Sequence, residues 1–497
     1  MDVWSHLALG FGVALAPANL LLVLAGCLLG TLIGVLPGIG PVAAIAMLLP
    51  ATTGLAPVSA LILLAAVYYG AQHGGAITAI LVHVPGAPSP VRSRYDGYPM
   101  ACQGRVGPAL AAAGWASFFA GCVATLLLVL LAPALALLAD QFGPTEYFSL
   151  LVLALMGAAV LAAGSLLKAL AMVVLGLLLG LVGTDANSGV VRFAFDIVEL
   201  RDGIGVMALA MGVFGYGGII NQLARPAHAR EVFAARVRGL WPTKQDLRDT
   251  TPAALRGTAV GSLLGGIPGG STLLASFAAY ALETKVKAKP GEVPLGTGNI
   301  RGVAAPEAAH SAAAHTAFLP LLAVGIPTNA VMALMVGAMT MHKIQPGVQV
   351  MSSSPELFWG LIASLWLGNL LLVVLNLPLM ALWSRLLAVP YRWLFPAIVL
   401  FCAVGIFGST HSSLHIWLVG AFGLVGYVFH KLGMEPAPLL LGFVLAPMME
   451  ASLRGALLLS HGDWSVFVMR PLSAGLLAGA MCMVFLVLMP ALQSRRA

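Results

Sequence analysis

The stretches GTLIGVLPGIGP at residues 30–41 and GSLLGGIPGGST at residues 261–272 lie deep in apolar sequence and decide the fold. They align at a constant offset, as Pro37 and Pro268 show (268 − 37 = 231). Proline removes a backbone donor and glycine weakens a helix, so each Pro-Gly pair predicts a break in a helix. In hydrocarbon the freed backbone groups must be satisfied by protein or by a water-lined cavity. Matching breaks in two halves of a chain are typical of the binding sites of secondary transporters.

The composition around these stretches is that of a membrane protein. The chain has 497 residues, of which 60% are hydrophobic and only 9% are charged, whereas a soluble domain carries about 25% charged residues. Its apolar runs predict an all-α polytopic membrane protein with roughly ten to twelve membrane segments of about 20 residues each. The net charge of +7 resides in short loops beside these runs, which indicates membrane orientation rather than a nucleic-acid partner.

The distribution of basic residues divides the chain into three parts. Residues 225–257 form a basic stretch that we interpret as a cytoplasmic linker. It separates a first membrane repeat, residues 1–224, from a second membrane repeat, residues 258–497. The chain ends in Arg495-Arg496-Ala497, which places the C-terminus in the cytoplasm by the positive-inside rule.

The same charges constrain how the second Pro-Gly stretch meets the membrane. The apolar residues 258–282 have basic loops on both sides, and a full crossing would expose one of these loops outside. Pro268-Gly269-Gly270 lies near the middle, so each arm has about ten residues and a length of about 15 Å, half of a membrane. This favours a re-entrant hairpin, and a kinked spanning helix is the alternative.

A second pair of breaks follows the first pair. Residues 83–90 read HVPGAPSP and residues 325–330 read GIPTNA, with Pro85 and Pro327 at a similar offset (327 − 85 = 242). Each half therefore contains a helix, a Pro-Gly break, a helix with small and polar residues, and a second break. We interpret the halves as a duplicated unit, and the sequence leaves open whether the repeats are inverted or parallel.

Broken helices offer binding groups for both anions and cations. The free N–H groups and the dipole at a half-helix N-terminus attract anions, and free carbonyls can coordinate Na⁺. We expect carbonyls near Gly38, Gly269 and Asn329 to hold Na⁺. The alternative is that the small hydroxyl residues only pack helices closely. The candidate substrate and ion residues at the breaks are Pro37, Gly38, Gly40, His83, Pro85, Gly86, Ser89, Pro268, Gly269, Gly270, Ser271, Thr272, Pro327, Thr328 and Asn329.

Three further candidates lie in the small and polar segment of the second half. Glu307, His310 and Ser311 belong to EAAHSAAAHTAF at residues 307–318. Ionisable residues inside a membrane are candidates for ion or proton pathways. The alternatives are an acidic residue in the first turn of a helix for Glu307 and hydrogen bonds between helices for the histidines.

The sequence carries no signature of an enzyme. It contains no HExxH, GxxxxGK[ST] or GxSxG motif. The five cysteines are scattered and form no CxxC pair, so a zinc site is not expected. We therefore expect neither a catalytic residue nor a bound cofactor.

Several phrases resemble one family along nearly the whole chain, the large membrane subunit of the tripartite tricarboxylate transporters of the TctA type. The resemblance implies secondary-active, ion-coupled uptake of a small-molecule carboxylate across the bacterial inner membrane. It also implies two partner proteins, a periplasmic solute-binding protein and a small membrane subunit, and it places the chain in the lipid bilayer. The coupling ion would commonly be Na⁺, with H⁺ as the alternative. The fold would contain inverted repeats with hairpins. An uncoupled anion facilitator or channel is the alternative function. The matching phrases are YYGAQHGGAITAILVHVPG (68–86), DGYPMACQGRVGPAL (96–110), GVAAPEAA (302–309) and LLAVGIPTNAVMALMVGAMT (321–340).

The chain departs from the family pattern beside the breaks. His310 and Ser311 stand where the family commonly carries two asparagines, and His315 stands where an amide is common. His83 likewise replaces an asparagine before Pro85. These changes concern the polar residues and leave the predicted architecture unchanged.

Overall fold

The chain folds almost entirely into helices. This is seen in a computed structural model that describes residues 3–36, 40–81, 93–139, 141–162, 164–185, 187–224, 243–288, 291–386 and 391–493.

In the described part of the chain, ten α-helices precede the basic stretch. A 3-10 turn at Leu49–Thr52 extends α3, and a π-helical turn at Met211–Tyr216 joins α9 to α10. The helices are α1 (Val3–Ala14), α2 (Pro17–Val35), α3 (Pro41–Leu48), α4 (Pro57–Leu81), α5 (Arg94–Cys102), α6 (Val106–Ala139), α7 (Pro144–Leu161), α8 (Leu166–Gly180), α9 (Val206–Ala210) and α10 (Gly217–Leu223).

In the rest of the described chain, twelve more α-helices lie between Lys244 and Gln493. The first begins at Lys244, so the C-terminal part of the predicted linker 225–257 is helical. The helices are α11 (Lys244–Gly265), α12 (Thr272–Lys285), α13 (Arg301–Thr316), α14 (Phe318–Val324), α15 (Ala330–Met341), α16 (Val348–Ser353), α17 (Pro355–Leu386), α18 (Tyr391–Thr410), α19 (Ser413–Leu432), α20 (Ala437–Leu459), α21 (Val466–Met469) and α22 (Pro471–Gln493).

The predicted class of all-α polytopic membrane protein is confirmed. Among the described residues, eight helices are long and apolar enough to cross a membrane, and five shorter helices are apolar. The only strands in the described part of the chain are β1 (Gly183–Thr184) and β2 (Val191–Arg192), which pair antiparallel.

Helices α2 and α4 approach each other so closely that their contact requires glycine. Gly26, Gly30 and Gly34 lie four residues apart along one face of α2. A Cβ atom added to Gly34 would collide with the backbone of Ala71 on α4. Small residues that let helix backbones approach are a common basis of helix packing in membranes.

Helices α11 and α13 form a contact of the same kind. Gly257, Gly261 and Gly265 lie on one face of α11, and a Cβ on Gly265 would collide with the backbone of Ala313. Gly34 and Gly265 are separated by 231 residues (265 − 34 = 231), the same offset as between Pro37 and Pro268. The residues that they contact, Ala71 and Ala313, are separated by 242 residues (313 − 71 = 242), the same offset as between Pro85 and Pro327. The duplication and its inverted or parallel orientation stay predictions.

The chain turns back on itself between α11 and α12. Gly266 to Ser271 separate the two helices, and Arg256 on α11 pairs with Glu283 on α12 with Nε–Oε1 at 2.6 Å. These residues are 27 positions apart, which would be about 40 Å along one continuous helix. The two arms therefore lie side by side, and their position in a membrane stays a prediction.

A buried carboxylate fastens this hairpin to α13. The side chain of Glu283 is fully buried and accepts hydrogen bonds from Arg256 and from Arg301 at the start of α13. Arg301 also donates to Glu292, at 2.8 Å. Paired and hydrogen-bonded charges are the form in which ions are tolerated in a protein interior.

A second ion cluster holds the β-hairpin on α20. Glu450 and Arg454 pair one helical turn apart, at 2.7 Å. Arg192 of β2 binds Glu450 at 2.8 Å, and Arg454 also binds Asp185 at 2.9 Å. Hydrogen bonds from the Asn187 backbone and the Ser188 hydroxyl, together with Arg454, hold the pKa of Asp185 below its usual range.

Substitution at Gly265 tests the close approach of α11 and α13. We expect Gly265→Ala to lower the free energy of unfolding by about 1–3 kcal/mol, because the added methyl group overpacks the contact with Ala313. Gly266→Ala is the matched control, since the nearest atom to its Cβ is 3.6 Å away. Thermal unfolding in detergent measures both variants, and equal midpoints would contradict the described packing.

Substitution at Glu283 tests the buried ion cluster. We expect Glu283→Gln to lower the free energy of unfolding by about 3 kcal/mol, the low end of the cost of breaking a buried ion pair, because Arg301 loses one of its two carboxylate partners and Arg256 is partly exposed. Glu356→Gln, at an exposed position in the first turn of α17, is the control. The stability of both variants is measured by unfolding in SDS, with tryptophan fluorescence as the signal. A Glu283→Gln variant as stable as the wild type would refute the role of the cluster.

Candidate binding site

A cavity of about 720 Å³ lies where three helices begin. We call it the large cavity. Its lining includes the first residues of α3, α12 and α15, three segments that are far apart in sequence. The predicted site residues in its lining are Gly40, Ser271, Thr272, Gly269, Thr328 and Asn329.

Helix α12 starts with a capped N-terminus at the cavity wall. The Ser271 side chain accepts a hydrogen bond from the backbone N–H of Leu274, at 3.1 Å. This cap satisfies one of the four N–H groups that have no acceptor inside the helix. Thr272 and Leu273, the first two residues of α12, line the cavity.

Helix α15 starts in the same way beside α12. The Asn329 side chain accepts from the N–H of Met332, at 3.1 Å, and Ala330 and Val331 line the cavity. The N–H of Gly269 donates to the carbonyl of Thr328, at 3.1 Å. This bond joins the two breaks of the second half to each other.

Helix α3 contributes a third N-terminus. Gly40 precedes it in an extended conformation, with φ −80° and ψ 174°, and Pro41 is its first residue. Proline is well suited there because the first N–H of a helix has no acceptor within it. Three positive dipole ends therefore face one cavity, which is an electrostatic arrangement for an anion.

Gly269 is needed for the shape of the turn that carries α12. Its φ is +80°, a conformation that glycine adopts without steric cost. An added Cβ atom would also collide with the backbone of Gly157 on α7. The turn between α11 and α12 is thus pressed directly against a helix of the first half.

The other walls come from α10 and from the connection between α19 and α20. Asn221 and Gln222 contribute amides from α10, while Tyr68, His430 and Glu435 are the titratable groups among the described lining residues. Among the described residues that line this cavity, none is lysine or arginine. An anion there would depend mainly on backbone N–H groups and helix dipoles.

A second, smaller cavity also borders α4, and we call it the polar cavity. Its volume is about 20 Å³. Gln72 lines both cavities. The lining residues are Tyr69, Gln72 and His73 of α4, Ser117 of α6, Glu307, His310, Ser311, Ala314 and His315 of α13, and Asn369 and Leu372 of α17.

The structure separates the predicted site residues into groups. Six line the large cavity, whereas Glu307, His310 and Ser311 line the polar cavity. Pro268, Gly270 and Pro327 lie in the turns and are not among the lining residues. The remaining predictions, which lie outside the described residues, concern Pro37, Gly38, His83, Pro85, Gly86 and Ser89.

The contribution of α4 to the polar cavity was not predicted from the sequence. Tyr69, Gln72 and His73 are three and four residues apart, so they share one helix face. Three polar side chains on one face of a helix that is otherwise made of apolar and small residues could have predicted this contribution. Asn369 of α17 had no comparable signal, because it is one amide in a long apolar run.

The helices and the large cavity define the class: a multi-pass helical membrane protein with a central ligand-sized cavity, as secondary transporters have. Residues 20–441 match the Tripartite tricarboxylate transporter TctA family. The chain belongs to this family, and it is therefore a transporter subunit rather than a member of an enzyme family.

Two relatives from Agrobacterium vitis are similar to the chain. One, described as an uncharacterized 52.8 kDa protein in the TAR-I ttuC' 3' region, is 51% identical over 496 residues, which is 100% of this chain and 98% of the relative. The other, an uncharacterized protein in the TAR-II ttuC' 3' region, is 51% identical over 236 residues, which is 48% of this chain and 97% of the relative. No solved structure matches the chain.

Proposed function

We propose that the chain is the large permease subunit of a binding-protein-dependent system that takes up an organic carboxylate, a tricarboxylate or a similar anion, by ion-coupled secondary transport. The observation that carries the proposal is the convergence of three helix N-termini on one cavity of about 720 Å³. Such a volume lies within the range of about 300–1,000 Å³ that small-molecule sites occupy.

The electrostatics of the large cavity favour a carboxylate. Each helix N-terminus acts as about half a positive charge, and the N–H groups that its cap leaves unbonded can donate to an anion. The starts of α12 and α15 are joined by the bond from Gly269 to Thr328, so their donors are held at a fixed spacing. Because backbone donors do not move, their orientation toward the anion costs little free energy on binding.

The coupling ion is proposed to bind close to the same turns. Carbonyls near Gly269 and Asn329 are available for Na⁺, and Gly38 would complete the set from the first half. Oxygen ligands from unwound backbone suit a hard cation. A cation there would also offset the charge of a neighbouring carboxylate, which links the binding of the two ligands.

The orientation of the chain follows from its basic residues. Helix α10 ends just before the basic stretch 225–257, and Asn221 and Gln222 near that end line the large cavity. With basic loops inside, the described conformation would have its cavity next to the cytoplasmic ends of these helices. The C-terminus would be cytoplasmic in a bacterial inner membrane.

The partners are proposed from family membership. A periplasmic solute-binding protein would deliver the carboxylate, and a small membrane subunit would complete the assembly in the lipid bilayer. The large cavity would receive the carboxylate after its release from the binding protein.

Substitution at Asn329 tests where the carboxylate binds. Asn329→Asp keeps an N-cap acceptor for Met332 but adds a negative charge at the cavity wall. We expect uptake of the carboxylate to fall at least about tenfold, which corresponds to about 1.4 kcal/mol. Asn329→Ser is the control, because serine also caps a helix and adds no charge.

The measurement is uptake into proteoliposomes that contain the chain and its small membrane subunit, with the binding protein added outside. Citrate, succinate and malate are the probes. If Asn329→Asp transports as well as Asn329→Ser does, the carboxylate does not bind at the start of α15. Thermal unfolding of both variants shows whether the helix itself is retained.

Dependence on an ion gradient distinguishes the carrier from an uncoupled facilitator. A carrier exchanges labelled for unlabelled carboxylate and accumulates it against its gradient when an ion gradient is imposed. A facilitator or channel only equilibrates it. Accumulation in the same proteoliposomes would support coupling, and its absence alongside rapid equilibration would refute coupling.

A further inference from the structure

We propose that the polar cavity between α4, α6, α13 and α17 is a proton-binding site, and that His315 is the side chain that takes up the proton. This inference rests on the proposed function, because it names a coupling ion for the same carrier. It assigns the proton to a place apart from the large cavity.

The polar cavity is suited to one water molecule. Its volume of about 20 Å³ exceeds the roughly 10–15 Å³ that one water requires. A buried water also needs two to four polar partners. The candidates are buried polar atoms that have no hydrogen-bond partner, namely Tyr69 Oη, Gln72 Oε1, His310 Nε2 and His315 Nε2.

The hydrogen bond of His315 fixes which nitrogen can accept a proton. Nδ1 of His315 lies 2.8 Å from the carbonyl oxygen of Ser311. Because a carbonyl only accepts, Nδ1 carries the hydrogen and Nε2 holds the free lone pair of the neutral ring. Nε2 is buried and has no protein partner. A proton that enters from the aqueous phase and is relayed by the cavity water to Nε2, which leaves the water neutral, would yield an imidazolium ion that can donate at both nitrogens.

Tyr69 stabilises the charged form of this ring. The rings of Tyr69 and His315 are stacked, with centroids 4.3 Å apart and an angle of 11° between their planes. A cation within about 6 Å of an aromatic face is attracted by its quadrupole. The contact therefore strengthens when His315 becomes positive.

Among the described residues that line the polar cavity, Glu307 is the one acidic side chain and none is lysine or arginine. Glu307 is buried on the same helix and accepts a hydrogen bond from the Ser93 hydroxyl, with no ion pair to any described residue. Its carboxylate can offset the charge of an imidazolium ion within the same cavity. Tyr69 and His73 face the cavity from α4, while α6 and α17 contribute the neutral Ser117 and Asn369.

The buried carboxylates on two other helices that pack on α13, Asp96 of α5 and Glu283 of α12, are engaged elsewhere. Asp96 of α5 accepts from the N–H groups of Gly296, Gly298 and Asn299. Glu283 of α12 is bound by Arg256 of α11 and by Arg301. These ions have their own partners, so the charge balance in the polar cavity is set mainly by Glu307 and the histidines.

A metal ion fits this cavity less well than a proton does. Among the described residues, no group of three or more His, Cys, Asp or Glu side chains is placed to hold a metal. A proton needs only a lone pair and a route for its delivery. Gln72 lines both cavities, so a change in the protonation of His315 can alter a side chain that also borders the large cavity.

The test separates proton coupling from carboxylate transport. Proteoliposomes with the chain and its small membrane subunit, and with the binding protein outside, are assayed with citrate, succinate and malate at equal Na⁺ concentrations on both sides, so that Na⁺ can bind but no sodium gradient is present. We expect an inwardly directed proton gradient to stimulate wild-type uptake several-fold. We expect His315→Gln to abolish this stimulation while counterflow of the carboxylate stays within about twofold of wild type. His461→Gln, at an exposed position outside the cavity, is the control.

The outcomes are distinguishable. Absence of counterflow for all probes in the wild type would overturn the proposed function. Counterflow without stimulation by the proton gradient, or stimulation that survives His315→Gln, would overturn the proton site alone and leave the proposed function intact.

A measurement on the wild-type chain tests the proposal even if the His315→Gln variant does not fold. Full-length protein labelled with ¹⁵N-histidine is titrated in detergent, and the imidazole signal that is lost in His315→Gln or in His315→Asn identifies His315. We expect the signal to report a change in the protonation state of His315 within the pH range in which the protein stays folded, as for histidines that act as switches. An imidazole that keeps one protonation state across this range would refute the proposal.

Discussion

Backbone groups that lose their helical partners inside apolar surroundings are the constraint on which this structure depends. Each break exposes N–H and carbonyl groups, and water cannot reach them through hydrocarbon. The protein satisfies some of them with side-chain caps at Ser271 and Asn329 and with the bond from Gly269 to Thr328. The remaining donors at three helix starts face one cavity. The free donors that result from the breaks therefore surround one cavity, where we propose that an anion binds.

Close packing of small residues makes this arrangement rigid. Gly34 and Gly265 bring α2 and α11 into backbone contact with α4 and α13, and those contacts leave no room for a methyl group. The buried carboxylate of Glu283 then fixes the α11–α12 hairpin to the start of α13. Rigid supports on both sides of a turn keep the helix N-termini aimed at the same volume.

Helix α13 is where apolar packing and ionisable chemistry meet. Its alanines pack tightly against α6 and α11, whereas Glu307, His310 and His315 face the polar cavity. The stacking of His315 on Tyr69 brings together one helix from each half of the chain. Gln72 of α4 borders both cavities, so α4 links the polar cavity to the large cavity.

The sequence by itself determined the membrane class. It also predicted breaks at Pro268–Thr272 and Pro327–Asn329 and the candidate residues Ser271, Thr272 and Asn329, because hydropathy and the backbone chemistry of proline and glycine are local properties. Only the tertiary structure decided that Gly40 joins these residues at one cavity, and that Glu307 and His310 lie in another cavity with Tyr69 and Gln72. These groupings depend on which helices pack together across 200 or more residues of chain. Such pairing is set by shape and by buried charge over the whole fold, and no short stretch of sequence contains it.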